Sequence, residues 1–123
     1  MLQAGLTASV DLSVTDSDTA AALGSGDVPV LATPRLIALC EAATLAAISA
    51  HLDAGQTAVG SRVEIDHLAP SAVGARITAT ATLAHVDRHR LVFSVAAVEG
   101  SRTVAEGTVH RRVVDRQRFL DRT

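Results

Sequence analysis

A chain of 123 residues and 12.7 kDa, 48% hydrophobic and 20% charged, has the length of one domain and enough apolar content to bury a core. Its 11 basic and 13 acidic side chains leave a formal charge of -2, which argues against a dedicated nucleic-acid binder; at 2% aromatic content, base-stacking platforms are nearly excluded too. Every basic residue is an Arg, so Schiff-base chemistry through Lys is ruled out.

Cys40 is the single cysteine, so neither an intrachain disulfide nor a Cys-based metal cluster is available. Met1 to Val10 shows no basic and apolar leader pattern. Leu36 to Ala50, the longest apolar stretch, is interrupted by Glu41 and falls short of the ~20 residues of a bilayer span. These features predict a reduced, cytoplasmic protein with no membrane partner.

Taken in chain order, Leu6 to Val14 alternates weakly and reads as a half-buried strand. Thr15 to Gly26, rich in Asp, Ser, Thr, Ala and Gly, reads as a loop with one short helical turn. Thr33-Pro34 then predicts a helix start, with Thr33 as N-cap and Pro34 at the first helical position. Good helix formers run on to Leu52 and Asp53-Ala54-Gly55 stops them. The helix is apolar on nearly every side, which predicts enclosure by other elements.

Beyond it the period changes to two. Strands are predicted over Thr57 to Leu68, Arg76 to Asp87, Leu91 to Glu99 and Arg102 to Val114, with tight turns at Arg88-His89 and Gly100-Ser101. Four strands joined in this way predict an antiparallel meander, and with the helix on one face an α+β layer domain.

Glu41 is the only charged side chain between Leu36 and Ala50. A carboxylate in such a setting is costly unless wet, paired or used. It reads either as a residue of the helix's one solvent-facing stripe or as a catalytic carboxylate whose pKa burial among Leu36, Ile37, Leu39 and Leu45 would raise. His67 ends the second strand. His51 lies near the helix C-terminus, and His85 and His89 flank a hairpin where they are solvated. Thr33 is a cap whose hydroxyl, beside free backbone N–H groups, also suits an anionic oxygen. Cys40 reads as a small core residue. Arg111, Arg112, Arg116, Arg118 and Arg122 form either a soluble strand end and tail or a patch for phosphates. Phosphate-loop, nucleophile-elbow and dinucleotide fingerprints are all lacking.

Val30-Leu31-Ala32-Thr33-Pro34, Glu41 eight residues after Thr33, and Gly60-x-x-Val63-x-Ile65-x-His67 form a spaced set. It continues through Pro70, Gly74, Arg90-Leu91 and Glu106-Gly107-Thr108 to Arg111 and Phe119. This set resembles the fluoroacetyl-CoA thioesterase group of hot-dog-fold proteins. The resemblance implies a single domain over residues 1–123, with one long central helix wrapped by a curved antiparallel sheet of about five strands. It implies a homodimer joined sheet edge to sheet edge, and hydrolysis of an acyl-CoA or acyl-carrier thioester. Thr33, Glu41 and His67 fall on the family's catalytic threonine, glutamate and histidine, and Gly60 and Arg111 on its substrate-binding glycine and arginine. No metal is implied, and no cofactor beyond the CoA carried by the substrate. The sequence departs from the fluoroacetate-specific pattern in the lid, with Gly24 and Asp27 where that enzyme has phenylalanines. A non-catalytic acyl-CoA-binding module, and a dehydratase or isomerase acting on a thioester, remain alternative readings.

Overall fold

The period-two segments become five strands in the computed structural model, which describes residues 1–123. They are β1 (Thr7–Ser13), β2 (Gln56–His67), β3 (Arg76–Asp87), β4 (Arg90–Glu99) and β5 (Arg102–Asp115). The helices are α1 (Ala20–Leu23), α2 (Thr33–Ile48) and α3 (Arg116–Leu120), with 3₁₀ turns at Asp16–Asp18 and Ser49–His51. All pairings are antiparallel and the sheet order is β1-β3-β4-β5-β2.

The expected four-strand meander is therefore only partly correct. Two-residue turns do make β3, β4 and β5 neighbours. β2, however, pairs with β5 at the sheet edge, because the longer link from Leu68 to Ala75 lets the chain cross before β3 begins. Gly107 on β5 makes that pairing possible. A Cβ there would collide with the backbone of Glu64 and lie 2.8 Å from Ile65 Cα, closer than real side chains come.

Alternation decides the core. On β3, Ile77, Ala79, Ala81 and Leu83 are fully buried, and on β4 Leu91, Phe93, Val95 and Ala97 are buried in the same way. They meet Leu36, Leu39, Cys40, Ala43, Ala47 and Ile48 of α2. The many alanines on both sides admit a close approach of helix to sheet.

Two expectations about α2 are corrected. Ala38, Ala42, Leu45 and Ala46 are exposed, Leu45 at 38%, so this chain encloses the helix on one face only. One sheet layer can cover no more than that. Counted with its 3₁₀ extension, Thr33–His51 is 19 residues at a mean hydropathy of 1.2, long and apolar enough for a bilayer; its buried stripe packs on the sheet.

Burial pushes the Cys40 thiol up to about 11, with the neighbouring Glu41 charge adding to the effect. The folded state therefore keeps a proton that the unfolded chain loses sooner, and stability falls as pH rises from about 9 to 11. In native buffer at pH 8 a thiol reagent should leave Cys40 unmodified, with rapid labelling only after denaturant is added. Fast labelling of the native protein would contradict this burial.

Candidate active site

The segment before α2 is pinned in place. Asp18 is buried and accepts from the Thr15 backbone N–H at 2.8 Å, the Thr15 hydroxyl at 2.9 Å and Arg35 Nε at 3.0 Å. Those bonds, the Thr15 backbone first, hold its carboxyl below the usual range against the opposing effect of burial. The Ala32 N–H donates to Asp18 O, and the Leu31 N–H to Ser71 O. The N-terminus of α2 is thus tied to the loop that precedes it and to the segment that follows β2.

At this point Thr33 is not the N-cap. Ala32 holds the extended cap conformation and no side chain caps the helix, so Thr33 and Pro34 open its first turn. A threonine spared from capping can turn its hydroxyl elsewhere, and Thr33 Oγ1 lies 2.7 Å from His67 Nδ1. His67 is half-buried at the end of β2; its Nε2 is buried and has no hydrogen-bond partner. With Thr33 donating to Nδ1, Nε2 would carry the ring proton. An open depression of about 360 Å³ includes both residues, with Ala20, Val28, Val30, Leu31 and Leu68 as its main apolar wall.

Glu41 sits two turns further along α2, against the first half of β2 at Gly60. A Cβ on Gly60 would come 2.8 Å from Glu41 Oε2, so glycine leaves the carboxylate room against the strand. Ser61 forms a bulge at that place, where the β2–β5 register shifts between Gly60 and Arg62. Glu41 is neither fully buried nor alone. Its side chain is 34% exposed and Arg111 Nη2 lies 3.7 Å from Oε2. The expected close apolar surround is corrected accordingly, since exposed Leu45 leaves that side of the helix open.

Arg111 departs furthest from its sequence reading. It is 5% exposed, not part of a surface cluster, because alternation along β5 turns it toward α2 between Val109 and Val113. Its Nε donates to Thr44 Oγ1 at 2.6 Å, Nη1 to Ala58 O at 3.2 Å and Nη2 to Glu41 O at 3.2 Å. Burial draws its pKa down and the Glu41 charge opposes that. Thr44 was missed by sequence reasoning. Its hydroxyl donates to Glu41 O at 2.6 Å while accepting from Arg111, so it joins the helix carbonyl to the guanidinium. The available signal was its position three residues after Glu41, on the same helix face.

Five candidates on α2, β2 and β5 therefore form two groups. Thr33 and His67 are together, as are Glu41, Gly60 and Arg111. Eight residues of helix separate Thr33 from Glu41, an axial distance of ~12 Å. Of the other histidines, His85 and His89 are exposed and His51 closes the 3₁₀ turn after α2. Arg112, Arg116, Arg118 and Arg122 are exposed.

Comparison with known proteins agrees with this architecture. A curated relative, the fluoroacetyl-CoA thioesterase of Streptantibioticus cattleyicolor, is 31% identical over 90 residues, which span 73% of this chain and 65% of the relative's length. A solved fluoroacetyl-CoA thioesterase structure superposes with a TM-score of 0.92 at 26% identity, covering 99% of this chain and 95% of that one. A mutant of the fluoroacetyl-CoA-specific enzyme in complex with fluoroacetate and CoA gives 0.90 at 27% identity, covering 96% and 99%. A thioesterase superfamily member from Thermus thermophilus gives 0.91 at 25% identity, covering 98% and 90%. The expected hot-dog architecture, five antiparallel strands against one long helix, is thus the fold observed. The sequence profile described as fluoroacetyl-CoA-specific thioesterase matches residues 14–117, and the chain belongs to that family.

Proposed function

We propose that this protein hydrolyses short or medium acyl-CoA thioesters to the free acid and CoA, in the cytoplasm and as a homodimer. The single observation that carries the reading is Glu41, held beside Gly60 and Arg111 on the one otherwise uncharged stretch of α2. In this reaction Glu41 attacks the thioester carbonyl or takes a proton from the water that does. The carbonyl carbon gains an oxygen, its own oxygen becomes an oxyanion, and the C–S bond then breaks to release CoA thiolate. Where Glu41 is the nucleophile, water next cleaves the mixed anhydride to the free acid and restores the carboxylate. A thiol of pKa ~8.5 leaves with little need of protonation, so stabilising the oxyanion is the harder task. Backbone N–H groups at the start of α2 or around Gly60 suit that role. His67 holds a proton or relays it, and Thr33 positions substrate or water.

One subunit keeps the two residue groups ~12 Å apart, and a symmetric pairing would bring them together. β2 ends the sheet with one edge unpaired, and Val63 near its middle is 37% exposed. An uncovered edge of this length invites pairing with a copy of itself. A two-fold axis near Val63 and Glu64 would set the His67 end of one strand beside the Gly60 end of the other. The Thr33–His67 pair of one subunit would then face Glu41 of the next. Sedimentation at micromolar concentration should give a dimer, and a monomer would remove this arrangement.

A panel of acyl-CoAs assayed for free thiol tests the reaction itself. Turnover of short straight-chain substrates is the expected result. Tight binding without thiol release would point instead to a binding module, and a changed acyl chain on an intact thioester to a dehydratase or isomerase. The same panel tests specificity. The apolar wall near Thr33 is built of small aliphatic side chains and has no aromatic member. One fluorine needs a shaped, dry pocket to be distinguished, so fluoroacetyl-CoA should hold no large advantage over acetyl-CoA. A preference of several hundredfold would refute this.

A further inference from the structure

The face of the sheet turned away from α2 carries a charge arrangement that the hydrolytic site leaves unexplained. Arg90 and Arg112 are direct cross-strand partners on β4 and β5, and both are exposed. Alternation with buried Leu91, Arg111 and Val113 places both on the outer face. Like charges directly opposite one another on a sheet are unfavourable. Neither takes part in any of the chain's five ion pairs. Asp87 is the cross-strand partner of Arg90 and lines the same corner, yet it too forms no ion pair. At the adjoining turn Arg88 sits at φ 57, in the left-handed region where glycine or asparagine is at ease and a long side chain is strained. Three arginines are thus gathered at one corner at a cost in stability, in a protein whose net charge is negative.

Two depressions meet at these arginines. One, of about 580 Å³, is lined by Asp87, Arg88, His89, Arg90, Arg112 and Val113. The other, of about 420 Å³, runs past Arg90, Arg112 and His110 to Val59 and Gly60, with half-buried Phe119 on its border. Val59 is the β2 partner of Arg112, so the corner lies one to two strand spacings, ~5–10 Å, from the strand that carries Gly60. Guanidinium groups suit phosphate oxygens through paired N–H donors, and an aromatic face suits a purine.

We propose that Arg88, Arg90 and Arg112 form a phosphate-binding corner that takes the phosphoadenosine end of CoA, with Phe119 beside the adenine. This rests on the thioesterase reading for its ligand, and it selects free CoA thioesters over those on a carrier protein. A multiply charged anion would neutralise the facing guanidinium groups, so the arrangement unfavourable in the free protein becomes favourable in the complex.

The test titrates the full-length protein with adenosine 3′,5′-bisphosphate by calorimetry, beside the variant Arg90→Gln/Arg112→Gln, and uses inorganic phosphate as a second probe. The bisphosphate should bind the wild type well above inorganic phosphate, and the variant should lose about tenfold or more. In steady state the variant should raise KM for an acyl-CoA by a similar factor. KM for the same acyl group on pantetheine, which lacks those phosphates, should move by less than about twofold. Removing the facing charges should leave the fold intact; if the double variant fails to fold, Arg90→Gln alone enters the same titration. Equal bisphosphate affinity in variant and wild type would overturn the proposal. So would equal affinity for inorganic phosphate, which marks a generic anion site, or a KM effect confined to an acyl-carrier protein, which marks a protein-docking surface. A wild type that binds the bisphosphate through these arginines but releases no thiol would support the corner and sink the hydrolytic reading instead.

Discussion

Replacing Glu41 by Gln should lower turnover of the best acyl-CoA at least ~100-fold while leaving the fold intact. The amide keeps the shape of the carboxylate but can neither attack the thioester nor take a proton from water. Its neighbours tolerate the change, because a side chain 34% exposed has solvent on one side and Arg111 already has Thr44 Oγ1 and two backbone carbonyls as acceptors. Thiol release from a saturating substrate, with circular dichroism to verify folding, measures both halves. Unchanged turnover would return Glu41 to an ordinary place on the exposed side of α2. An unfolded variant would instead assign the carboxylate a structural role toward Arg111.

Arg111→Ala should damage stability and activity together. The substitution removes a guanidinium that is 5% exposed and leaves Thr44 Oγ1, Ala58 O and Glu41 O without their charged donor. Charge-assisted hydrogen bonds and the packing of the Arg stem set the loss at ~3 kcal/mol. For a domain of this size that lowers Tm by about 10 °C. Glu41 would also lose the cation 3.7 Å from its Oε2, and with it part of what orients the carboxylate. Thermal denaturation and thiol release on the same samples separate the two effects. A Tm within about 2 °C of wild type would show that the buried network contributes little.

Much of the fold was legible in the chain. Period-two alternation marked the strands to within a residue or two, with β3 placed at Arg76–Asp87 in both sequence and structure. That signal is local, because each strand has one face against the core and one away from it. Two-residue turns are local as well, and they fixed β3, β4 and β5 as neighbours. The isolation of Glu41 among apolar helix residues singles it out from the sequence alone, since an uncharged stretch tolerates one carboxylate only for a reason.

Tertiary structure decided what spacing alone left open. The partner of β2 depended on close backbone approach at Gly107 and on the long link after His67, neither of which has a periodic signature. Thr33 had every local mark of a cap, but Ala32 took that position once Asp18 and Ser71 fixed the chain around it, and the hydroxyl went to His67. Arg111 looked like one of a run of surface arginines. Strand alternation turned it inward and its neighbour Arg112 outward, so adjacent residues of one type serve opposite faces of the sheet. Side-chain type and period are properties of a segment, whereas partner, burial and charge environment arise only when distant segments pack.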